Sequence, residues 1–154
     1  MAGAEAVYAD PSALLKLYLH QPESAAMNTW RRRTRGALVL TLHGRAEIVN
    51  GICLAAFRGV ISAAAKDDAL ASFDEDVASG RYAAADLLWR AALQRSADLS
   101  REHTTTLGCR TLDVLHVASA LELGLPRFLT FDARQSALAR AVGLRLVALA
   151  KTVR

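Results

Sequence analysis

The chain predicts an α/β fold in which a mostly parallel sheet is covered by helices on both faces. Short, near-continuously apolar, β-prone runs stand at Val7–Ala9, Ala37–Leu40, Arg127–Phe131 and Leu144–Leu149, and stretches of helical periodicity separate them. Strands buried on both faces read as unbroken apolar runs, and alternation of strand with helix is the pattern of a parallel sheet. A third observation gives this fold a site: Asp10, Glu47, Asp113 and Asp132 each stand where a predicted strand ends or in the helix that follows one. In an open parallel sheet that edge is where ligands bind.

The elements follow in order. Val7-Tyr8-Ala9 stops at Asp10, and Pro11 takes a first helical position, where its missing N–H is no loss. That helix continues over Ser12 to Leu19. Pro22 interrupts, and a second helix is expected from about Glu23 to Arg35, ended by Gly36. The buried strand Ala37–Leu40 leads into a helix with Leu42, Ala46, Val49, Cys53 and Ala56 on one face, while Glu47 lies off that stripe beside Asn50, Gly51 and Leu54. From about Lys66 to Arg101 the pattern is helical throughout, with Leu70, Phe73 and Val77 in one stripe. After a break at Gly80, Leu88, Ala91 or Ala92, and Leu99 form another. Thr111 caps a helix that runs through Leu123, Gly124 follows it, and Pro126 prevents continuation. Arg127–Phe131 is the next strand, Asp132 comes after it, a helix over Ala133 to Val142 stops at Gly143, and Leu144–Leu149 is the last strand. The order of strands in the sheet is not legible from these patterns.

The chain has 154 residues, enough for one domain with its own core, and no linker, repeat or low-complexity tract divides it. It is read as a single domain over residues 1–154. No apolar run approaches the roughly 20 residues of a spanning helix, and Met1–Ala6 lacks the regions of a signal peptide. A soluble, cytoplasmic protein without membrane contact is therefore expected. Cys53 and Cys109 lie far apart with no paired spacing, which points to two reduced, partly buried thiols and not to a disulfide or zinc site. The net charge of +4 is carried mostly by arginine, a residue suited to phosphate.

Each acid also has a plain structural use. Asp10 before Pro11 suits a turn, Asp132 suits a helix N-cap, and Glu47 suits a solvated face. Asp113 sits among Leu112, Val114, Leu115, Val117 and Ala118, so a buried carboxylate is expected there, with Arg110 and His116 each one turn away. An Arg110–Asp113 ion pair is one outcome; His116 is expected to pack behind the site and not to act as a ligand. It is the joint pattern that argues for convergence. Gathered together, carboxylates raise one another's pKa unless a counter-charge is present, and a divalent cation is the simplest one.

The opening VYADPSALLKLYL, the segment around Glu47, the run GCRTLDVLHVASAL and the closing FLTFDARQ resemble the PIN domain, specifically the VapC-type toxins of bacterial toxin–antitoxin pairs. The likeness covers nearly the whole chain in order. It implies a three-layer α/β/α domain with a central mostly parallel sheet, and an endoribonuclease that acts on RNA. It further implies Mg²⁺ or Mn²⁺ held by Asp10, Glu47, Asp113 and Asp132, Ser12 and Thr130 as hydroxyls beside the acids, a partner antitoxin and a homodimer. One departure is visible: the family often has Thr directly after the first Asp, and Pro11 stands here, which removes one possible hydrogen bond to the site.

Arg31, Arg32, Arg33 and Arg35 form the densest basic run; a solvated helix end and an RNA-binding groove both fit it. Trp30 beside it is expected in the core, and His103 in a polar loop before Gly108. A PIN-like module that binds without turnover is the main alternative function. A phosphoacceptor receiver fits less well, because it needs an acidic pair at the first strand and a late lysine, where the chain offers Asp10 alone and Lys151.

Overall fold

The computed structural model of the chain describes residues 6–149; Met1–Glu5, part of the stretch read for a signal peptide, and Lys151 lie outside the described residues. The elements are β1 (Val7–Ala9), α1 (Pro11–Leu15), α2 (Ser24–Arg33), β2 (Leu38–Leu40), α3 (Leu42–Phe57), α4 (Ala63–Ala78), β3 (Tyr82–Ala84), α5 (Trp89–Leu99), a π-helical turn (Ser100–Thr104), α6 (Thr105–Leu107), α7 (Thr111–Glu122), β4 (Arg127–Leu129), α8 (Ala133–Ala141) and β5 (Arg145–Leu146). They fall into two compact units. Ala6–Asp10 together with Ala85–Ala148 makes one, and Pro11–Ala84 belongs to the other.

In the first unit the strands lie in the order β1-β4-β5 and every pairing is parallel. Val7 faces Arg127 and Ala9 faces Leu129 across the first pair, and Phe128 faces Leu146 across the second. The ladder runs one residue past β1, because the N–H of Asp10 donates to Leu129 O at 2.9 Å. That bond fixes Asp10 at the sheet's edge. Val7, Tyr8, Ala9, Phe128 and Leu129 are all buried, as parallel strands require. Tyr8 stacks on Phe128, and its hydroxyl lies 2.6 Å from Nδ1 of the buried His116. Helix α7 is buried without interruption from Val114 to Ala120, as its all-round apolar pattern expects. It ends in a Schellman turn: Leu125 N–H donates to Ala120 O and Gly124 N–H to Leu121 O, with Gly124 at φ 67°, a conformation glycine adopts without strain.

In the second unit β2 and β3 pair in parallel, Leu38 opposite Tyr82. Helices α1 and α3 pack together where Gly51 meets Leu15, whose Cδ1 would lie 2.6 Å from a Cβ on residue 51. Tyr18, Phe73 and Tyr82 form an edge-on aromatic group, and the Tyr18 hydroxyl donates to Asp76 at 2.6 Å.

Several expectations are corrected. Tyr82–Ala84 is a strand and not part of a helical stretch; Gly80 ends α4 and the chain then turns onto β2. In α3 the buried residues are Gly44, Ile48 and Ile52, whereas Leu42, Ala46 and Cys53 of the expected apolar stripe are exposed. A narrower stripe containing a glycine has won, because glycine admits close approach of a neighbouring helix. Leu88, placed in a core stripe, is 70% exposed, while Ala92 and Leu99 are buried. The first helix ends at Leu15 and continues only as turns. Helix α2 ends at Arg33, with extended backbone at Thr34, so Gly36 is not its terminator. Arg31 is buried and not part of a solvated end: its guanidinium donates to the carbonyls of Thr34, Gly36 and Arg81. Trp30 is half-buried and not in the core. Residue Arg110, not Thr111, occupies the cap position of α7, and His103 lies in the π-helical turn and not in a loop. Strand β4 stops at Leu129 and β5 spans Arg145–Leu146 only. Both cysteines are free, but Cys53 is exposed and only Cys109 is buried.

Candidate active site

Three of the four acids gather in the first unit. Asp10 is held beyond β1, is buried, and accepts at Oδ1 from Gln135 Nε2 at 3.0 Å. Asp132 caps α8: its Oδ1 accepts from Gln135 N–H at 2.7 Å. Asp113 lies in the first turn of α7, half-buried instead of enclosed by the helix's apolar surface, and pairs with Arg110 Nε at 3.3 Å. Thr130 links Gln135 to Asp132: its hydroxyl donates to Gln135 Oε1 at 2.6 Å and accepts from Asp132 N–H at 3.1 Å. The plain uses foreseen for Asp113 and Asp132, an ion pair and a cap, are therefore both realised.

Beside these acids a cleft of about 300 Å³ is lined by Gly108, Arg110, Asp113, Asp132, Ala133 and Arg134. Burial leads its electrostatics, and neighbouring carboxylates add to it. Burial lifts the Asp113 carboxyl above its usual range, Arg110 pulls it back, and the charges of Asp10 and Asp132 push it up again. The Cys109 thiol is likewise pushed up by burial and then by Asp113 and Asp132, with Arg134 opposing. Arg134 is oriented at the rim by a bond to Gly108 O at 3.3 Å.

Glu47 and Ser12 belong to the other unit. Glu47 is half-buried on α3 next to the buried Ile48, and Ser12 is exposed in the first turn of α1. His116 faces Tyr8, as a residue packed behind a site does, and is no part of the cleft lining. The residue that sequence reasoning missed is Gln135, which bonds to Asp10, Asp132, Thr130 and the backbone of Asp113. Its only sequence signal was its place three residues after Asp132, the partner position of a capping box.

The donor chemistry suits a hard divalent cation, since carboxylates supply every ligand oxygen. As placed, however, each carboxylate is turned to a protein neighbour, and among the described residues no group of three or more His, Cys, Asp or Glu side chains stands ready to hold a metal ion.

A parallel sheet with acids from separate segments gathered past its carboxyl edge defines an α/β protein with an anionic edge site. The chain belongs to the PIN-domain family, whose model matches residues 7–141. It is 30% identical over 145 residues to "Ribonuclease VapC46" of Mycobacterium tuberculosis, an alignment covering 93% of this chain and 97% of that one. Its fold is similar to the crystal structure of FitAcB from Neisseria gonorrhoeae, with a TM-score of 0.62, 16% identity and coverage of 92% and 96%. The expected class, a PIN-like α/β/α fold with a parallel sheet, is thus the fold of this chain. No helix among the described residues is long and apolar enough to cross a membrane.

Proposed function

We propose that this protein is a metal-dependent endoribonuclease acting as the toxin of a toxin–antitoxin pair, in the cytoplasm, with RNA as substrate. The observation that carries the reading is a cleft lined by Asp113 and Asp132 and flanked by Arg110 and Arg134, with Asp10 tied to the same acids through Gln135, in a PIN-family chain related to a ribonuclease. An RNA phosphate entering that cleft meets two guanidiniums suited to its oxygens. It also meets carboxylates that repel it unless their charge is shared.

Asp10, Asp113 and Asp132 are the residues that would hold Mg²⁺ or Mn²⁺, and the likeness to VapC-type toxins adds Glu47 to that set. When bound, that cation supplies a more acidic water and stabilises charge on the phosphate oxygens. The chain's own residues do the rest. Arg110 exchanges Asp113 for the phosphate, which frees a carboxylate oxygen; Arg134 holds a second phosphate oxygen; Thr130 keeps Gln135 and Asp132 in place; Ser12 orients water or Glu47. An antitoxin partner and a homodimer accompany the reading through the likeness to VapC-type toxins.

One observation favours the alternative of a binding module without turnover: Asp10, Asp113 and Asp132 each already have a protein partner. The test is cleavage of a panel of structured and single-stranded RNAs with Mg²⁺, with Mn²⁺ and with chelator, beside Asp113→Asn. Metal-dependent cleavage that vanishes in the variant supports the nuclease. RNA bound but left intact by folded, antitoxin-free protein selects the binding module.

A further inference from the structure

We infer that Gln135 is the positioning residue of the acid cluster, an uncharged hub that fixes carboxylates from separate segments relative to one another so that they act as one site. The inference rests on the nuclease reading and deepens it.

Gln135 is fully buried. Its side-chain amide makes three bonds, and its backbone N–H a fourth. Nε2 donates to Asp10 Oδ1 at 3.0 Å and to Asp113 O at 3.1 Å; Oε1 accepts from the Thr130 hydroxyl at 2.6 Å; the N–H donates to Asp132 Oδ1 at 2.7 Å. The orientation of the amide is dictated by chemistry. A carboxylate and a carbonyl only accept, so the NH₂ must face Asp10 and Asp113, which leaves the oxygen for the hydroxyl.

The local sequence explains how the side chain is freed for this. In a capping box the residue three after the cap reaches back to the cap's own N–H. Here Thr130 Oγ1 accepts the N–H of Asp132 instead, and Gln135 extends across to β1 and α7. The result ties together the end of β1, the first turn of α7 and the cap of α8, on which the three acids ride.

An amide suits the task where other polar side chains do not. Arginine or lysine would neutralise the carboxylates that a cation needs. An ionised glutamate would present no donor to Asp10 or to the Asp113 carbonyl and would add a further negative charge. Glutamine orients acids through hydrogen bonds and leaves their charge intact, which is how outer partners of ligating carboxylates act.

The test uses the full chain, with Gln135→Met, close in shape but without the amide, and Thr130→Val, which removes the hydroxyl anchoring Oε1. Three readouts are taken: protection of the Gln135 side-chain NH₂ against solvent exchange by ¹⁵N NMR, Mn²⁺ affinity by calorimetry, and kcat against KM for an RNA that the wild type cleaves. Slowly exchanging amide protons are expected in the wild type. Gln135→Met should weaken Mn²⁺ binding about tenfold or more and lower kcat with KM little changed, and Thr130→Val should shift both in the same direction by less. If Gln135→Met does not fold, Thr130→Val alone decides. Wild-type Mn²⁺ affinity and kcat in the folded variants would overturn the inference, as would rapid exchange of the amide protons. Protected amide protons in a wild type that neither binds Mn²⁺ nor cleaves RNA would instead overturn the nuclease reading, and with it any catalytic purpose of the hub.

Discussion

Arg110 and Asp113 pair across one turn at the mouth of the cleft, with Nε 3.3 Å from Oδ2 and side chains 84% and 21% exposed. The asymmetry decides the energetics. An exposed guanidinium contributes little to a pair, while the carboxylate bears the desolvation, so burial outweighs the attraction and the Asp113 pKa rises.

Asp113→Asn is therefore expected to abolish cleavage while stabilising the fold near neutral pH. A carboxyl whose pKa is raised by folding contributes stability that is full below its unfolded pKa and is lost as pH rises through the folded value. With chelator present, the wild type should match the variant most closely in acid and fall behind it as pH climbs from about 4. Thermal unfolding across that range checks this; a Tm difference that does not change with pH contradicts it.

Arg31→Met should destabilise the protein by about 1–3 kcal/mol, because it orphans carbonyls of Thr34, Gly36 and Arg81. Arg31→Lys should recover only part of the loss, since a single ammonium cannot span the forked set of acceptors. Urea unfolding of the three proteins measures it. Equal midpoints would show that the buried guanidinium is dispensable.

Only one thiol should react with a disulfide reagent in the native protein at mildly alkaline pH. Cys53 is exposed, whereas Cys109 is buried, bonds through Sγ to Arg134 O at 3.4 Å, and has its pKa pushed up by burial and neighbouring carboxylates. Denaturation should release the second thiol. Two fast native thiols, or modification of Cys109 mapped by mass spectrometry, would count against the placement of Cys109.

Tyr8→Phe keeps the ring stacked on Phe128 and removes only the hydroxyl beside His116. A loss of about 1 kcal/mol is expected, as for one buried hydrogen bond. A denaturant midpoint equal to the wild type's would mean that His116 is satisfied without it.

What was legible in the sequence followed local chemistry. Asp10 before Pro11, Asp132 at the start of α8 and the all-round apolar pattern of α7 each announce themselves within a few residues, and all three hold. What was not legible depends on which segments meet. Tyr82-Ala83-Ala84 contains two alanines, residues that favour helix, and becomes a strand only because β2 lies beside it. In α3 both Leu42/Ala46/Val49/Cys53 and Gly44/Ile48/Ile52 satisfy helical spacing, and choosing between them requires knowing what packs there. Gln135 carries no local sign of burial, which exists only once β1, α7 and α8 are assembled.

Because Val7–Ala9 pairs with Arg127–Leu129, the earlier segment cannot take its place in the sheet until one synthesised much later has left the ribosome. Asp10 has no Gln135 and no Asp132 beside it before then. A nascent chain or fragment lacking α8 consequently lacks the bonds that hold Asp10 and Asp132 to Gln135, so whatever chemistry the cleft performs waits until Ala133–Ala141 has been made and folded.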